Sequence, residues 1–239
     1  MAIHLIGPFV FALFTLVHAG IAFGALLAAG SMPVAAVCLF IVEAVTVFDN
    51  AVTVAGNRMG IAPRAEALNR RRYMLQASCI GLLIPVYAGI GTKLALPAGS
   101  SWIYALSLLM ALLLGIYGYF FQFRGTHTIM PVCYYGCLRY AQSVSKLTRH
   151  PDYRYSPQQL AARGRLPVVS IVTTFVGLII AALIGWFASL WVPFIVTALM
   201  LLAGGLPLRS WGPLATSGLE IVFSCGMLYS LLLAAGSIA

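Results

Sequence analysis

Charge is what this sequence lacks. Only 5 of its 239 residues are acidic and 14 are basic, so charged side chains make up 8% of the chain and hydrophobic ones 62%. A soluble domain carries about a quarter charged residues and needs them as a coat around its core. With a mean hydropathy of +0.98, the scarcity excludes that class. Familiar chemical motifs are missing too: there is no HExxH, no DDxxD pair and no phosphate loop. No lysine lies mid-span to carry retinal, and His18 is the one histidine clearly within a span, which excludes a bis-histidine haem. Cysteine is sparse and scattered. Cys38, Cys79 and Cys225 fall inside apolar runs, where a lone thiol packs as a small hydrophobe. Cys133 and Cys137 stand too far apart for a CxxC redox or zinc pair.

What is there is a series of long apolar runs, which predicts an all-α fold, a polytopic transmembrane bundle of about seven helices. The predicted spans are 5–29, 33–56, 73–95, 102–122, 167–188, 190–206 and 214–237. The first has no basic residue before it except His4, and its apolar run exceeds the core of a signal peptide, so it reads as a membrane helix. Pro85 and Pro193 mark bends. The organisation is one transmembrane domain over 1–239, with 123–166 a basic cytoplasmic interfacial segment within it. That segment is predicted to open with an interfacial helix, because Val132, Tyr135, Leu138 and Tyr140 interleave with Arg139, Lys146 and Arg149. "HPDYRYSP" then reads as a turn.

The net charge of +9 does not point to nucleic acid, since the basic residues sit between spans without an aromatic platform. Topology explains them better. With seven spans, 13 of the 14 basic residues fall on one side and only Lys93 on the other. The expected arrangement is a multi-pass protein with a cytoplasmic N-terminus, an outside C-terminus and membrane lipid as its constant partner.

Against this background the second span stands out. "VEAVTVFDNAVTVAGN", residues 42–57, places Glu43, Thr46, Asn50, Thr53 and Asn57 in one stripe at helical spacing, with Asp49 beside it. A carboxylate facing lipid costs several kcal/mol, about 2.5–3.5 on insertion scales, so the stripe faces other helices or water. Threonine and asparagine would suffice to glue helices together; two carboxylates point to function. Asn57, near Arg58, reads as a helix end. One further intramembrane acid, Glu220, shares a face of the last span with Ser217 and Ser224. Asp49 and Glu220 each lie about eight residues, roughly 12 Å, from the same end of their helices, so they can meet at one depth. Apart from Lys93 the predicted spans contain no lysine or arginine. Unpaired buried carboxylates must be protonated or bind a cation, and either outcome is chemistry of protons or metals.

The pattern of Glu43 followed six residues later by Asp49-Asn50-Ala51, with Pro63, a basic loop and another helix downstream, resembles the first signature of the TerC family of membrane proteins. That resemblance implies divalent cation transport of the manganese type, with Glu43, Asp49 and Asn50 as metal ligands and a divalent cation as the one cofactor; Glu220, the one further intramembrane acid, would complete the metal site. Where that family usually carries Leu-Ser before its aspartate, this chain has Thr46 and Val47. "CLFIVE" ending at Glu43 and "WGPLATSGLE" from Trp211 to Glu220 are similar to two positions of small seven-helix terpenoid cyclases. That second resemblance implies an acid-catalysed enzyme on a lipid-like isoprenoid substrate. Glu43, Asp49 and Glu220 would then be the catalytic acids, with Phe40, Phe48, Trp102, Tyr104, Trp211 and Phe223 available to shelter a carbocation. A structural subunit of a membrane complex is the third reading.

The charge distribution yields a topology test. Cysteines introduced beside Arg71 should resist a membrane-impermeant thiol reagent applied from outside, while one at Ala239 should be labelled; the reverse pattern would overturn the orientation.

Overall fold

The computed structural model describes residues 3–95, 101–122, 128–134, 136–164, 166–205 and 212–238. Tyr135, Trp211 and Arg209 lie outside the described residues. The chain forms an all-α bundle: α1 (Ile3–Ala25), α2 (Pro33–Met59), α3 (Pro63–Cys79), α4 (Leu83–Leu94), α5 (Ser101–Tyr117), a short α6 (Pro157–Ala161), α7 (Val168–Ala188), α8 (Val192–Gly205) and α9 (Gly212–Ala235). Six helical segments among the described residues are long and apolar enough to cross a membrane, and α8 adds a shorter apolar helix. The chain is thus a multi-pass membrane protein. Its outer surface carries exposed Phe9, Leu16, Phe23, Ile179 and Trp186, as lipid contact requires.

Proline sets several of the helix boundaries. Pro33 and Pro63 start α2 and α3 at positions where a missing N–H leaves no bond unmade. α3 and α4 are joined by the 3₁₀ turn Ile80–Leu82 into one continuous span, Pro63–Leu94. Pro85, just after that turn, cannot donate back to the preceding turn and accounts for the local tightening. This span starts ten residues before the predicted position 73. At 32 residues it measures about 48 Å, against about 30 Å of hydrocarbon. Its first turns therefore emerge from the apolar layer, which is why their arginines resemble a loop in sequence. There Arg70 pairs with Glu66 at 2.7 Å across one turn.

α2 is the central element, packed against α1, α3, α4, α9 and part of the polar segment. Leu39 and Val42 of α2 meet Val86, Tyr87 and Ile90 of α4, Ile184 of α7, and Met227 and Leu231 of α9 in the main core. With neighbours on so many sides, α2 has nowhere to turn its polar stripe except inward. Glu43, Asp49, Asn50 and Thr53 are all buried.

The segment after α5 is not an interfacial helix. It forms an antiparallel hairpin of β1 (Met130–Tyr134) and β2 (Cys137–Ala141), with Val132 opposite Arg139 and Tyr134 opposite Cys137. The apolar and basic alternation taken for a helix face is a period of two. Val132, Leu138 and Tyr140 are buried, Pro131 disfavours a helix interior, and Gly136 supplies the positive φ of 82° at the turn.

A two-stranded ribbon is marginal by itself, and here the helices stabilise it. Asn57, at the end of α2, accepts from the Leu138 N–H at 2.6 Å and donates to the Gly136 carbonyl. Asn69 of α3 accepts from the Tyr140 N–H at 3.3 Å, and the Tyr73 hydroxyl donates to the Tyr140 carbonyl at 2.9 Å. Asn57 is therefore a clamp on the ribbon and not a plain helix end. Gly56 allows the approach: a Cβ there would lie 1.9 Å from the Leu138 carbonyl oxygen.

Gly56→Ala should therefore push β2 off α2 and lower stability by about 1–3 kcal/mol, the usual range for overpacking. Gly20→Ala, at a position with nothing within 4 Å, is the control and should be neutral. Thermal unfolding of the two variants in detergent checks the difference, and equal midpoints would show that the contact does not matter.

Candidate functional site

The intramembrane acids separate by partner. Glu43 faces α1, where its Oε2 lies 2.6 Å from His18 Nδ1, and both side chains are buried. Against a carboxylate Nδ1 is the donor of this bond, and Nε2 is the ring nitrogen on the far side from Glu43. Nε2 is buried and has no hydrogen-bond partner among the described residues. His18 enters the sequence argument only as an exclusion of haem, because nothing in the spacing of two distant helices reveals that it meets Glu43.

Asp49 faces the other way, toward α3 and the hairpin. Arg72 Nε lies 3.1 Å from Asp49 Oδ1, and Arg139 Nη2 donates to Oδ2 at 3.3 Å. The Arg72 pair is held by charge and not by an aligned hydrogen bond, since neither of its two atoms has a hydrogen-bond partner among the described residues. Other nitrogens of Arg72 donate to Thr53 Oγ1 at 3.4 Å and to the Tyr140 carbonyl at 3.3 Å. The expectation that no basic residue is available inside the bundle is thus corrected. Arg72 belongs to the long third span and is fully buried, while Arg139 is brought in by a ribbon the sequence reading took for a surface helix. Burial works most strongly against the Arg139 charge, but Asp49, Tyr73, Glu220 and Tyr134 together outweigh it and hold the guanidinium above the ordinary arginine value.

Glu220 of α9 has neither kind of partner. Among the described residues no histidine or arginine pairs with it and no hydrogen bond reaches its carboxyl group. It lies within electrostatic reach of Asp49, His18, Arg139 and Glu43. Two chambers meet at this residue. The first, about 170 Å³, is an intramembrane cavity lined by His18, Glu43, Thr46, Tyr87, Thr197, Phe223 and Ser224, with Val42, Val45, Ile80, Leu83 and Met200 as its apolar walls. The second, about 270 Å³, lies between the hairpin and helices α2, α3 and α9 and is bordered by Asp49, Tyr73, Tyr134, Arg139, Thr216 and Ser217. Glu220 and Gln76 border both. The serines expected beside Glu220 divide accordingly, Ser217 to the polar chamber and Ser224 to the apolar one.

Glu43 and Glu220 therefore share one cavity, and Asp49 and Glu220 share the other. Asn50 borders neither; both atoms of its buried amide lack hydrogen-bond partners among the described residues. Of the aromatics named for a carbocation, Phe223 lines the cavity. Tyr87, which the sequence did not single out, does so as well. Its hydroxyl lies 2.5 Å from Thr197 Oγ1, which donates onward to the Pro193 carbonyl at 2.6 Å. The Tyr87 proton thus points to Thr197, leaving its oxygen free to accept. In the hairpin, burial and the neighbouring Cys133 push the Cys137 thiol up to about 11, which disfavours the thiolate needed for metal binding.

No protein-family model, curated protein or solved structure matches this chain. Function has to come from the residues themselves. The arrangement offers an acid without a basic partner, a histidine hydrogen-bonded to a carboxylate, and an apolar chamber touching both.

The ion-pair geometry has a direct energetic test. Asp49→Asn leaves two guanidinium groups without their anion and should destabilise by about 3–5 kcal/mol, the usual result of breaking a buried pair. Adding Arg72→Met to that variant should recover part of the loss, giving a coupling above about 0.5 kcal/mol, whereas Asp49→Asn and His18→Ala should be closer to additive. Unfolding titrations of the single and double variants measure both quantities, and strict additivity of Asp49 with Arg72 would refute the pairing.

Proposed function

We propose that this protein is an intramembrane enzyme that isomerises a lipid-like, isoprenoid-type substrate by acid catalysis, with Glu220 as the proton donor and His18, oriented by Glu43, as the base. The observation that carries this reading is that Glu220 is the intramembrane acid without a basic partner and borders an apolar cavity it shares with the His18–Glu43 pair. The Glu220 O–H bond breaks as its proton adds to an alkene carbon or an epoxide oxygen. The electron pair of a second alkene in the same molecule closes on the cation so formed, and His18 Nε2 takes the proton that leaves carbon. One proton is given and one is recovered, so the substrate changes connectivity without oxidation or reduction and the cycle closes when the proton returns to Glu220. Such general acid catalysis contributes about 10²–10⁴-fold. The resemblance to seven-helix terpenoid cyclases implies acids at these two positions, Glu43 and Glu220. Here the acid on α2 works through its histidine, and Asp49 holds the architecture.

The cation-transport expectation asks more of the same residues. Asp49 would have to release two guanidinium groups and Glu43 its histidine, and among the described residues no three His, Cys, Asp or Glu side chains converge. A hard dication needs about six oxygen donors, and a site beside two arginines repels it.

Lipid extracts of cells producing the wild-type protein should contain an isomer, of unchanged mass, of a prenyl lipid present in control cells. Glu220→Gln should reduce that product at least about 100-fold, and His18→Ala should also reduce it. Extracts indistinguishable between wild type and Glu220→Gln would sink the enzyme reading. A thermal shift with manganese(II) that Asp49→Asn abolishes would restore the transport one.

A further inference from the structure

The polar chamber beside the hairpin has a feature the proton chemistry does not use. Arg139 is largely enclosed, its side chain 15% exposed, yet among the described residues Asp49 is the only acceptor for its guanidinium, through one bond of 3.3 Å. A guanidinium carries five N–H donors, and leaving such donors enclosed without acceptors is unfavourable. The charge is uncompensated in the same sense. Asp49 brings one negative charge against both Arg72 and Arg139. With Glu220 protonated, as the proposed acid role requires, the cluster of Asp49, Arg72 and Arg139 beside the chamber carries a surplus of one positive charge. The hydroxyls of Tyr134 and Ser217 and the amide of Gln76 border the same space. Gln76 and Glu220 also border the apolar cavity, so the two chambers adjoin at these side chains.

We propose that the chamber is a headgroup site: Arg139 binds an anionic oxygen group, of the phosphate type, at one end of an amphiphile whose apolar chain lies in the intramembrane cavity. The proposal rests on the enzyme reading for the protonation of Glu220, and it narrows the substrate class from lipid-like to anionic amphiphile. It also accounts for the hairpin, which carries Arg139 and is clamped to α2 and α3 so that this side chain stays in place.

Binding can be tested without turnover, by thermal shift of the purified protein in detergent with dodecyl phosphate, dodecanol and inorganic phosphate. Dodecyl phosphate should act at a concentration about tenfold lower than dodecanol, as one hydrogen bond to a charged group implies, and inorganic phosphate alone should give no shift at the same concentrations. Arg139→Gln should abolish the preference for phosphate over alcohol. Arg139→Lys keeps the charge and covers the case in which the glutamine variant fails to fold; it should retain the preference in weaker form. Equal potency of dodecanol and dodecyl phosphate on both the wild type and Glu220→Gln, or a preference that survives Arg139→Gln, would overturn the proposal. So would inorganic phosphate matching the amphiphile, since the site would then take a free anion. Glu220→Gln fixes a neutral side chain and should keep the preference intact. A preference present in that variant and absent from the wild type would support the headgroup site while showing that Glu220 is ionised, which separates failure of the acid reading from failure of this one.

Discussion

The pairing of Asp49 with Arg72 and Arg139 is the interaction on which the rest of the structure depends. It joins three separate elements: the central helix, the long span that follows it, and the ribbon outside the bundle. Each partner would be prohibitive to bury alone. An isolated carboxylate or guanidinium in a low-dielectric interior carries a penalty of several kcal/mol, recovered only where opposite charge and hydrogen bonds are supplied together. Placing Asp49 inside therefore requires Arg72 to be inside as well, and Arg72 in turn needs the Tyr140 carbonyl from the ribbon to use its remaining donors. The hairpin is thus coupled to the membrane bundle through charge as well as through the asparagine clamps.

A second consequence is a division of labour among carboxylates that look alike in sequence. Glu43 is engaged by an imidazole, Asp49 by guanidinium groups, and Glu220 by neither. A single apolar run with scattered acids conveys the cost of burying them but not which will be neutralised, because that depends on which neighbour each one meets. In the proposed chemistry it is environment, not residue type, that assigns one acid to architecture, one to orienting a base, and one to proton donation.

Much of the fold was legible in the sequence for a simple reason: hydrophobic length is a local property. The seven apolar runs, the inward-facing stripe of α2 and the meeting of Glu220 with acids of that helix all follow from periodicity and depth. What escaped was non-local or ambiguous in period. Arg70, Arg71 and Arg72 look like a loop because charge usually marks the end of a span, yet the helix starts at Pro63 and only Arg72 of the three is buried. Val132, Leu138, Arg139 and Tyr140 fit a basic amphipathic helix and a ribbon almost equally well, and the choice is made by Asn57, Asn69 and Gly56 on distant helices. His18 offered no signal, since one histidine in an apolar run is silent until its partner is known.

The short link between α2 and α3 has a consequence for how the protein enters the membrane. Only Gly60, Ile61 and Ala62 separate the two helices, so Asp49 and Arg72 leave the ribosome close together and on neighbouring helices that pack against each other. A helix carrying Asp49 by itself presents an insertion machinery with an unfavourable segment, about 2.5–3.5 kcal/mol for one central charge. A helical pair that partitions as a unit presents the same residues as a neutral dipole. The connection is thus a device of biogenesis: it lets a charge required in the finished interior cross into lipid already accompanied by its counter-ion, before the ribbon and the last helix have been synthesised.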